Sequence, residues 1–274
     1  MLKIDAILAI AQSLRDLVID ANPVSLTGST LQFNELVQPL SQQLQGFYGY
    51  IYQGAAVGQE RIAGSFNPAA NELVFPQVWA SVPSINSSFM ITEEWRKSDY
   101  ENAIDRYMGR ARTKFLEAVT ATMAIVATQY EYTVPSGFEW ISTLRFIPSS
   151  NTDYGDISDI RNIFELPPRY WRIEVNQGGS YIIAIDPRKI DLDEFDKQLV
   201  DIKGQRKPSV LGTDNAIIPP DLEEYIISGA SMLLASQRID EKQEWRAKFY
   251  MFRDEVKPLE DYVYRYGRGK PVRL

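Results

Sequence analysis

Apolar residues recur at helical spacing toward both ends of the chain and at alternating spacing between them. Ile4, Ile7, Leu8, Ala11, Leu14 and Val18 hold a 3.6-residue rhythm that Asn22-Pro23 closes, which predicts an amphipathic opening helix of about four turns. From Leu26 to Ile91 the texture changes. Gly46, Gly49, Gly54, Gly58 and Gly64 interleave with Phe47, Tyr48, Tyr50, Ile51 and Tyr52, and few charges intervene, a pattern of β structure. Phe66 to Asn71 is a polar, turn-rich break between Ile62 and Leu73-Val74-Phe75, which predicts a hairpin. Thr92-Glu93-Glu94 has the character of a helix start, and Tyr100, Ile104, Tyr107, Ala111, Phe115 and Ala118 carry a helical stripe toward Val119.

The second half alternates differently. Gln129 to Pro135 and Phe138 to Pro148 read as strands around a Ser136-Gly137 turn, and polar Asn151 to Arg161 reads as a surface loop. Trp171 to Val175 and Tyr181 to Ile185, joined by Asn176 to Ser180, predict a second hairpin, with Gln198 to Ile202 as a third strand of one small sheet. Pro219-Pro220-Asp221 then opens a helical hairpin, because Asp can cap free amides and the prolines cannot continue a strand. Its two stripes are Leu222, Ile226, Ala230, Leu233 and Trp245, Phe249, Phe252, Val256, Leu259, separated near Arg238 to Glu241. The expected fold class is therefore α+β: a helical bundle of N-terminal, central and C-terminal helices, with a small antiparallel sheet and an inserted β-rich module. The expected boundaries are a core of 1-25 plus 92-264, a module of 26-91, and an extended basic C-terminal arm of 265-274.

Composition narrows the chemistry. A chain of 274 residues with 45% hydrophobic content can bury a sizeable core. Its longest apolar runs, such as Ile182 to Ile185 and Met232 to Ala235, fall far short of the roughly 20 residues of a membrane span. Met1-Leu2-Lys3-Ile4-Asp5 lacks the continuous apolar stretch of a secretory leader, so no membrane contact is expected. The net charge of −7 argues against tight wrapping of nucleic acid. Without Cys there is no disulfide, thiolate nucleophile or zinc ribbon, and without His the commonest general base and metal ligand are missing. A hydrolase would need a Ser-Lys pair, paired carboxylates or a carboxylate-bound metal, and no Ser is followed three positions later by Lys. The expectation is that the protein is not an enzyme and carries no cofactor.

Three features invite a functional reading. Asp186, Asp191, Asp193, Glu194 and Asp196 are the densest acidic run, but their spacing is not that of an EF-hand, and Pro187-Arg188-Lys189 interrupts them. A solvated connection explains them better than a calcium or magnesium site. Phe47, Tyr48, Tyr50 and Tyr52 could form a sugar platform, although strand packing or subunit contact explains them more simply. Arg265, Tyr266, Arg268, Lys270, Pro271, Val272, Arg273 and Leu274 belong to a tail that has no acidic side chain. Tyr266 to Pro271 lacks the Ser or Thr and the following helix of a phosphate loop, so an arm that inserts into a partner is the better reading.

The element order from about Glu93 onward resembles the head-to-tail adaptor family (the connector or neck proteins of tailed bacteriophages), over about two thirds of the chain. The residues that carry the resemblance are the 93 to 119 helix, Tyr130-Glu-Tyr-Thr-Val-Pro-Ser-Gly-Phe138, Trp171-Arg-Ile-Glu-Val175 with Ile185-Asp-Pro187, and Ile217-Ile-Pro-Pro-Asp-Leu222 opening the terminal helical pair. The resemblance implies a structural virion protein that forms a homo-oligomeric ring of about twelve copies. Such a ring docks on the portal protein and meets a tail-side neck or nozzle protein. Its place is the neck of the virion, assembled in the host cytoplasm, with genomic DNA passing through without tight binding. The 265-274 arm would reach the portal, Arg265, Arg268, Lys270 and Arg273 pairing with portal carboxylates, and 26-91 would be an addition to the minimal pattern. The alternative is a tail fibre, baseplate or decoration protein whose aromatic module binds a host glycan or another virion protein.

Overall fold

The structure is a computed structural model, and it describes residues 1–34, 46–67, 69–113, 115–147 and 165–266. The expected helical bundle with a small sheet is corrected: among the described residues there are four antiparallel sheets and four α-helices, so the fold is mostly β. The chain divides into two compact units, Met1–Ala111 with Ser209–Val263, and a second centred on Arg112–Pro208. This division differs from the one drawn on composition, and strand pairing accounts for the difference.

In the first unit, helix α1 (Lys3–Ser13) leads into β1 (Leu17–Ala21), followed by β2 (Ser25–Leu26) and β3 (Thr30–Gln32). Val18, read as part of a helical stripe, lies on β1 instead. The helix ends because Arg15 adopts a left-handed backbone (φ 54), which an α-helix cannot propagate. The β-branched pair Val18-Ile19 favours the extended continuation. Next come β4 (Tyr48–Gln53), β5 (Glu60–Ile62), β6 (Ser65–Asn67), β7 (Glu72–Val74) and β8 (Ser88–Thr92). One sheet has the order β1-β8-β4-β5 and the other β2-β3-β7-β6. The last strand of segment 26–91, β8, is zipped to β1, with Ile19 opposite Ile91 and Ala21 opposite Phe89. The hairpin expected around residues 66–71 is formed by β6 and β7.

An aromatic core joins these two sheets. Leu31, Phe33, Leu73, Phe75 and Trp79 pack with Ile19, Ile51, Phe89 and Ile91, and Phe33 and Trp79 meet Phe89 edge-on at centroid distances of 6.0 and 5.7 Å. Helices α2 (Lys97–Arg112), α3 (Glu223–Gln237) and α4 (Gln243–Tyr266) complete the unit. The α2 stripe of Tyr100, Ala103, Ile104, Tyr107 and Ala111 is buried as its periodicity predicts, but the helix starts at Lys97 and stops at Arg112 rather than spanning 93 to 119. The helical hairpin after Pro219-Pro220 forms as expected, from α3 and α4. The free amides at the start of α1 are satisfied by the turn ahead of that hairpin, Lys3 N–H donating to Ala216 O at 2.9 Å and Ile4 N–H to Asp214 O at 3.1 Å.

The second unit contains β9 (Glu117–Ala124), β10 (Glu131–Thr133), β11 (Trp140–Ile147), β12 (Glu165–Leu166), β13 (Trp171–Val175), β14 (Tyr181–Ile185) and β15 (Leu199–Arg206). Ala118 and Val119 were expected to end a helix. They lie on β9, whose side chains alternate between half-buried and exposed along its length, and whose eight residues all pair with β15. The expected third strand of the hairpin sheet is also reassigned. Leu199 to Ile202 belong to β15, which pairs with β9 and β11, whereas the β13/β14 hairpin pairs with β10. Tyr132, Ile141, Leu144, Leu166, Ile183 and Ile202 are among the residues that fill the core of this unit.

Gly229 shows how closely α3 and α2 are packed, because a Cβ there would fall inside the Tyr107 ring. Gly229→Ala should therefore destabilise the protein by about 1–3 kcal/mol through overpacking, in spite of the ~1 kcal/mol helix-propensity gain. Gly109→Ala on α2, where a Cβ meets open space, should instead stabilise it by up to ~1 kcal/mol. Urea titrations of both variants test the packing; equal effects would contradict it.

Candidate functional site

The aromatic residues proposed as contacts divide between the two faces of β4 and its entry. Phe47, 4% exposed, is part of the aromatic core. Tyr48, Tyr50 and Tyr52 share one face by the two-residue period of a strand, and each meets a polar or charged group of its own unit. The Tyr48 ring lies 5.2 Å beneath the Arg96 guanidinium. Tyr52 O–H donates to Asp20 Oδ1 at 2.6 Å. Tyr50, also 4% exposed, donates to Asp214 Oδ2 at 2.5 Å. Tyr48 and Tyr52 are thus the members of the run that keep accessible surface.

Tyr50 opens a charge chain. Lys97 Nζ sits 4.6 Å from its ring centroid, 2.7 Å from Asp214 Oδ1 and 3.0 Å from Glu101 Oε1. Lys3, almost wholly buried, continues it to Asp105 at 3.1 Å and to the Leu211 carbonyl at 3.1 Å. Burial and the Asp214 hydrogen bond push the Tyr50 hydroxyl up to about 12. Burial alone would pull the Lys97 ammonium down, but its hydrogen bonds to Asp214, Glu101 and Tyr50 outweigh that and raise it. Both groups therefore stay protonated at neutral pH, which suits a fixed strut and not an acid–base pair.

Asp16 is the most perturbed carboxylate. It lies between α1 and β1 and is 2% exposed. Its oxygens accept the backbone N–H groups of Glu93 (3.1 Å), Glu94 (2.6 Å) and Trp95 (3.4 Å), and the Tyr100 hydroxyl. Burial pushes its carboxyl up to about 6 even though these four hydrogen bonds favour the anion.

The acidic run of the second unit organises its own loops. Asp186 Oδ1 accepts Arg188 N–H at 3.0 Å, Asp191 Oδ1 accepts Asp193 N–H at 3.0 Å, Asp193 Oδ1 accepts Thr128 N–H at 3.1 Å and Asp196 Oδ1 accepts Ala127 N–H at 2.9 Å. Among the described residues no group of three or more potential ligands could hold a metal ion.

A cavity of about 500 Å³ opens at one end of the β13/β14 hairpin, and Arg169, Tyr170, Trp171, Arg172, Asp186 and Arg188 contribute to its lining. The antiparallel register explains the convergence. Trp171 at the start of β13 stands opposite Ile185 at the end of β14, so the turn before one strand and the turn after the other lie side by side. Asp186 N–H donates to Tyr170 O at 2.8 Å and locks them together. Trp171 is buried, its indole N–H donating to Leu166 O at 3.3 Å, while Arg169, Arg172 and Arg188 are exposed at the mouth. The positive Pro187-Arg188-Lys189 interruption was visible in the sequence; its pairing with Arg169 required the hairpin register.

Of the basic arm, Arg265 and Tyr266 end α4, and Arg268, Lys270, Pro271, Val272, Arg273 and Leu274 lie outside the described residues. No helix among the described residues is long and apolar enough to cross a membrane. No protein-family model matches the chain, and no curated protein sequence matches it.

The Asp16 geometry makes a pH prediction. Its folded-state value near 6 lies above the unfolded value near 3.8, so the native state holds this proton longer. The contribution is fully present below about pH 4 and falls by about 3 kcal/mol as pH rises to about 7. Asp16→Asn cannot ionise. The stability of the wild type minus that of the variant, from urea titrations at pH 4, 5, 6 and 7, should fall by most of that amount; a pH-independent difference would contradict the assignment.

Proposed function

We propose that this chain is a structural virion protein, a ring-forming head-to-tail adaptor that docks on a portal protein and connects it to the tail. The observation that carries the proposal is element order. After α2 and β9, the latter in place of the expected end of the helix, come the strands holding Tyr132 and Trp140, then the β13/β14 hairpin, then the Pro219-Pro220-Asp221 turn that opens α3 and α4, and the rest of this order is the one on which the family resemblance rests. The corrected fold class gives no support, so the proposal stands on this order and on surface character. Val57, Val78, Val82 and Ile85 are 57–66% exposed. They sit on two loops tied together by Ala80 N–H donating to Gln59 Oε1 at 2.7 Å and Ser87 O–H to Ala55 O at 2.8 Å. Exposed aliphatic residues held on a fixed scaffold suit subunit contact. The net charge of −7 suits a conduit through which DNA slides without being held.

On this reading the partners are further copies of the chain, a portal protein and a tail-side neck or nozzle protein, and the place is the neck of the virion. The abundance of antiparallel sheet favours, as a second reading, a tail fibre, baseplate or decoration protein. The mass of the native assembly separates them. A closed ring of about twelve copies is expected for an adaptor and a trimer for a fibre; a stable monomer would remove the adaptor reading. A chain ending at Tyr264 should fold normally yet fail to join heads to tails in an assembly assay, and normal joining would remove the arm from the proposal.

A further inference from the structure

We infer that the cavity at the end of the β13/β14 hairpin is a binding site for a phosphomonoester, of the size of a nucleoside monophosphate. Arg169, Arg172 and Arg188 contribute to the cavity lining, and Lys189 adds a fourth cation beside it, its Nζ 5.9 Å from the Tyr170 ring centroid. Among the described residues the lining contributes one carboxylate, Asp186, and Arg172 draws on a second, Glu174. Glu174 is ion-paired with Arg172, and Asp186 has Oδ1 committed to the Arg188 backbone N–H. Among the described residues neither Arg169 nor Arg188 has a carboxylate partner, in a protein whose overall charge is −7. Among the described residues, two positive charges are left over at one place. A single carboxylate ligand would neutralise half of that excess, whereas a phosphomonoester carries about −1.5 to −2 at neutral pH and presents three acceptor oxygens.

Residue type and shape agree with charge. The guanidinium fork matches phosphate oxygens two at a time, which a lysine cannot do. The Arg169 guanidinium lies 5.3 Å from the Tyr170 ring centroid, which restrains a side chain that would otherwise be mobile. The volume of about 500 Å³ falls in the range of small-ligand pockets, roughly 300–1,000 Å³. It exceeds what a lone phosphate needs and leaves volume for a sugar and base. The backbone is already set by the Trp171 and Ile185 register and the Asp186–Tyr170 hydrogen bond, so binding orders side chains alone. The site lies within one unit and does not depend on the ring reading.

The test is isothermal titration of the full chain with adenosine 5′-monophosphate, inorganic phosphate and acetate at matched ionic strength. Saturable one-to-one binding of the monophosphate is expected, with Kd of about 1 mM or tighter, phosphate weaker and acetate not competing. Arg169→Gln with Arg188→Gln should weaken binding by at least about tenfold without changing thermal unfolding, since both side chains are exposed. Absence of saturable heat, or unchanged affinity in the double variant, overturns the site. Acetate competing as well as phosphate overturns the phosphoryl assignment. Equal binding of a single-stranded oligonucleotide with a 5′-hydroxyl end overturns the monoester and assigns a phosphodiester surface instead.

Discussion

The first unit depends on one buried carboxylate. Asp16 stands where α1 hands over to β1, and the amides it accepts, from Glu93, Glu94 and Trp95, stand where β8 hands over to α2. One side chain therefore fixes the two points at which the chain leaves a helix for the sheet and leaves the sheet for a helix. Trp95 extends the junction by meeting the α4 residue Trp245 at a centroid distance of 4.7 Å, and Arg238 clasps it through Glu94 at 2.6 Å. An unpaired buried carboxylate would cost several kcal/mol. Four donors make its burial tolerable and leave a pH-dependent residue of that cost.

The polar groups of the molecule fall into two kinds. Lys97, Asp214 and Tyr50 are largely withdrawn from water and satisfy one another, and buried Lys3 is held by Asp105 and the Leu211 carbonyl, so they act as struts. Asp186, Asp191, Asp193 and Asp196 are spent on backbone amides and hold loop shape. The mouth of the hairpin cavity departs from both kinds, because exposed cations gather there with too few anions among the described residues to balance them. A fold seldom needs such an arrangement for stability, since like charges repel and surface ion pairs contribute little. That contrast is what marks the cavity as a place where something else binds.

Much of the local structure was legible in the residues. The α3–α4 hairpin follows from Pro219-Pro220-Asp221 and two apolar stripes, the β13/β14 hairpin from two alternating runs around Asn176 to Ser180, and the buried face of α2 from Tyr100, Ile104, Tyr107 and Ala111. Each rests on spacing within a few turns or a few residues. The errors arose where a short apolar segment satisfies either period. Val18 and Ala118 continue helical stripes by position, yet both lie on strands, because the choice was made by β8 and β15 lying alongside them.

What the sequence by itself determined is therefore the presence of the hairpins, the helical pair and the lack of His and Cys chemistry, all of which depend on near neighbours or on composition. Tertiary structure decided the rest. Sheet order, the joining of residues 17–21 to 88–92, and the meeting of Arg169 with Arg188 require hydrogen bonds between strands far apart or reversed in the chain. Residue spacing carries no record of such partners. A strand shows its propensity and its buried face, but its neighbour is selected by the register and shape of the whole sheet.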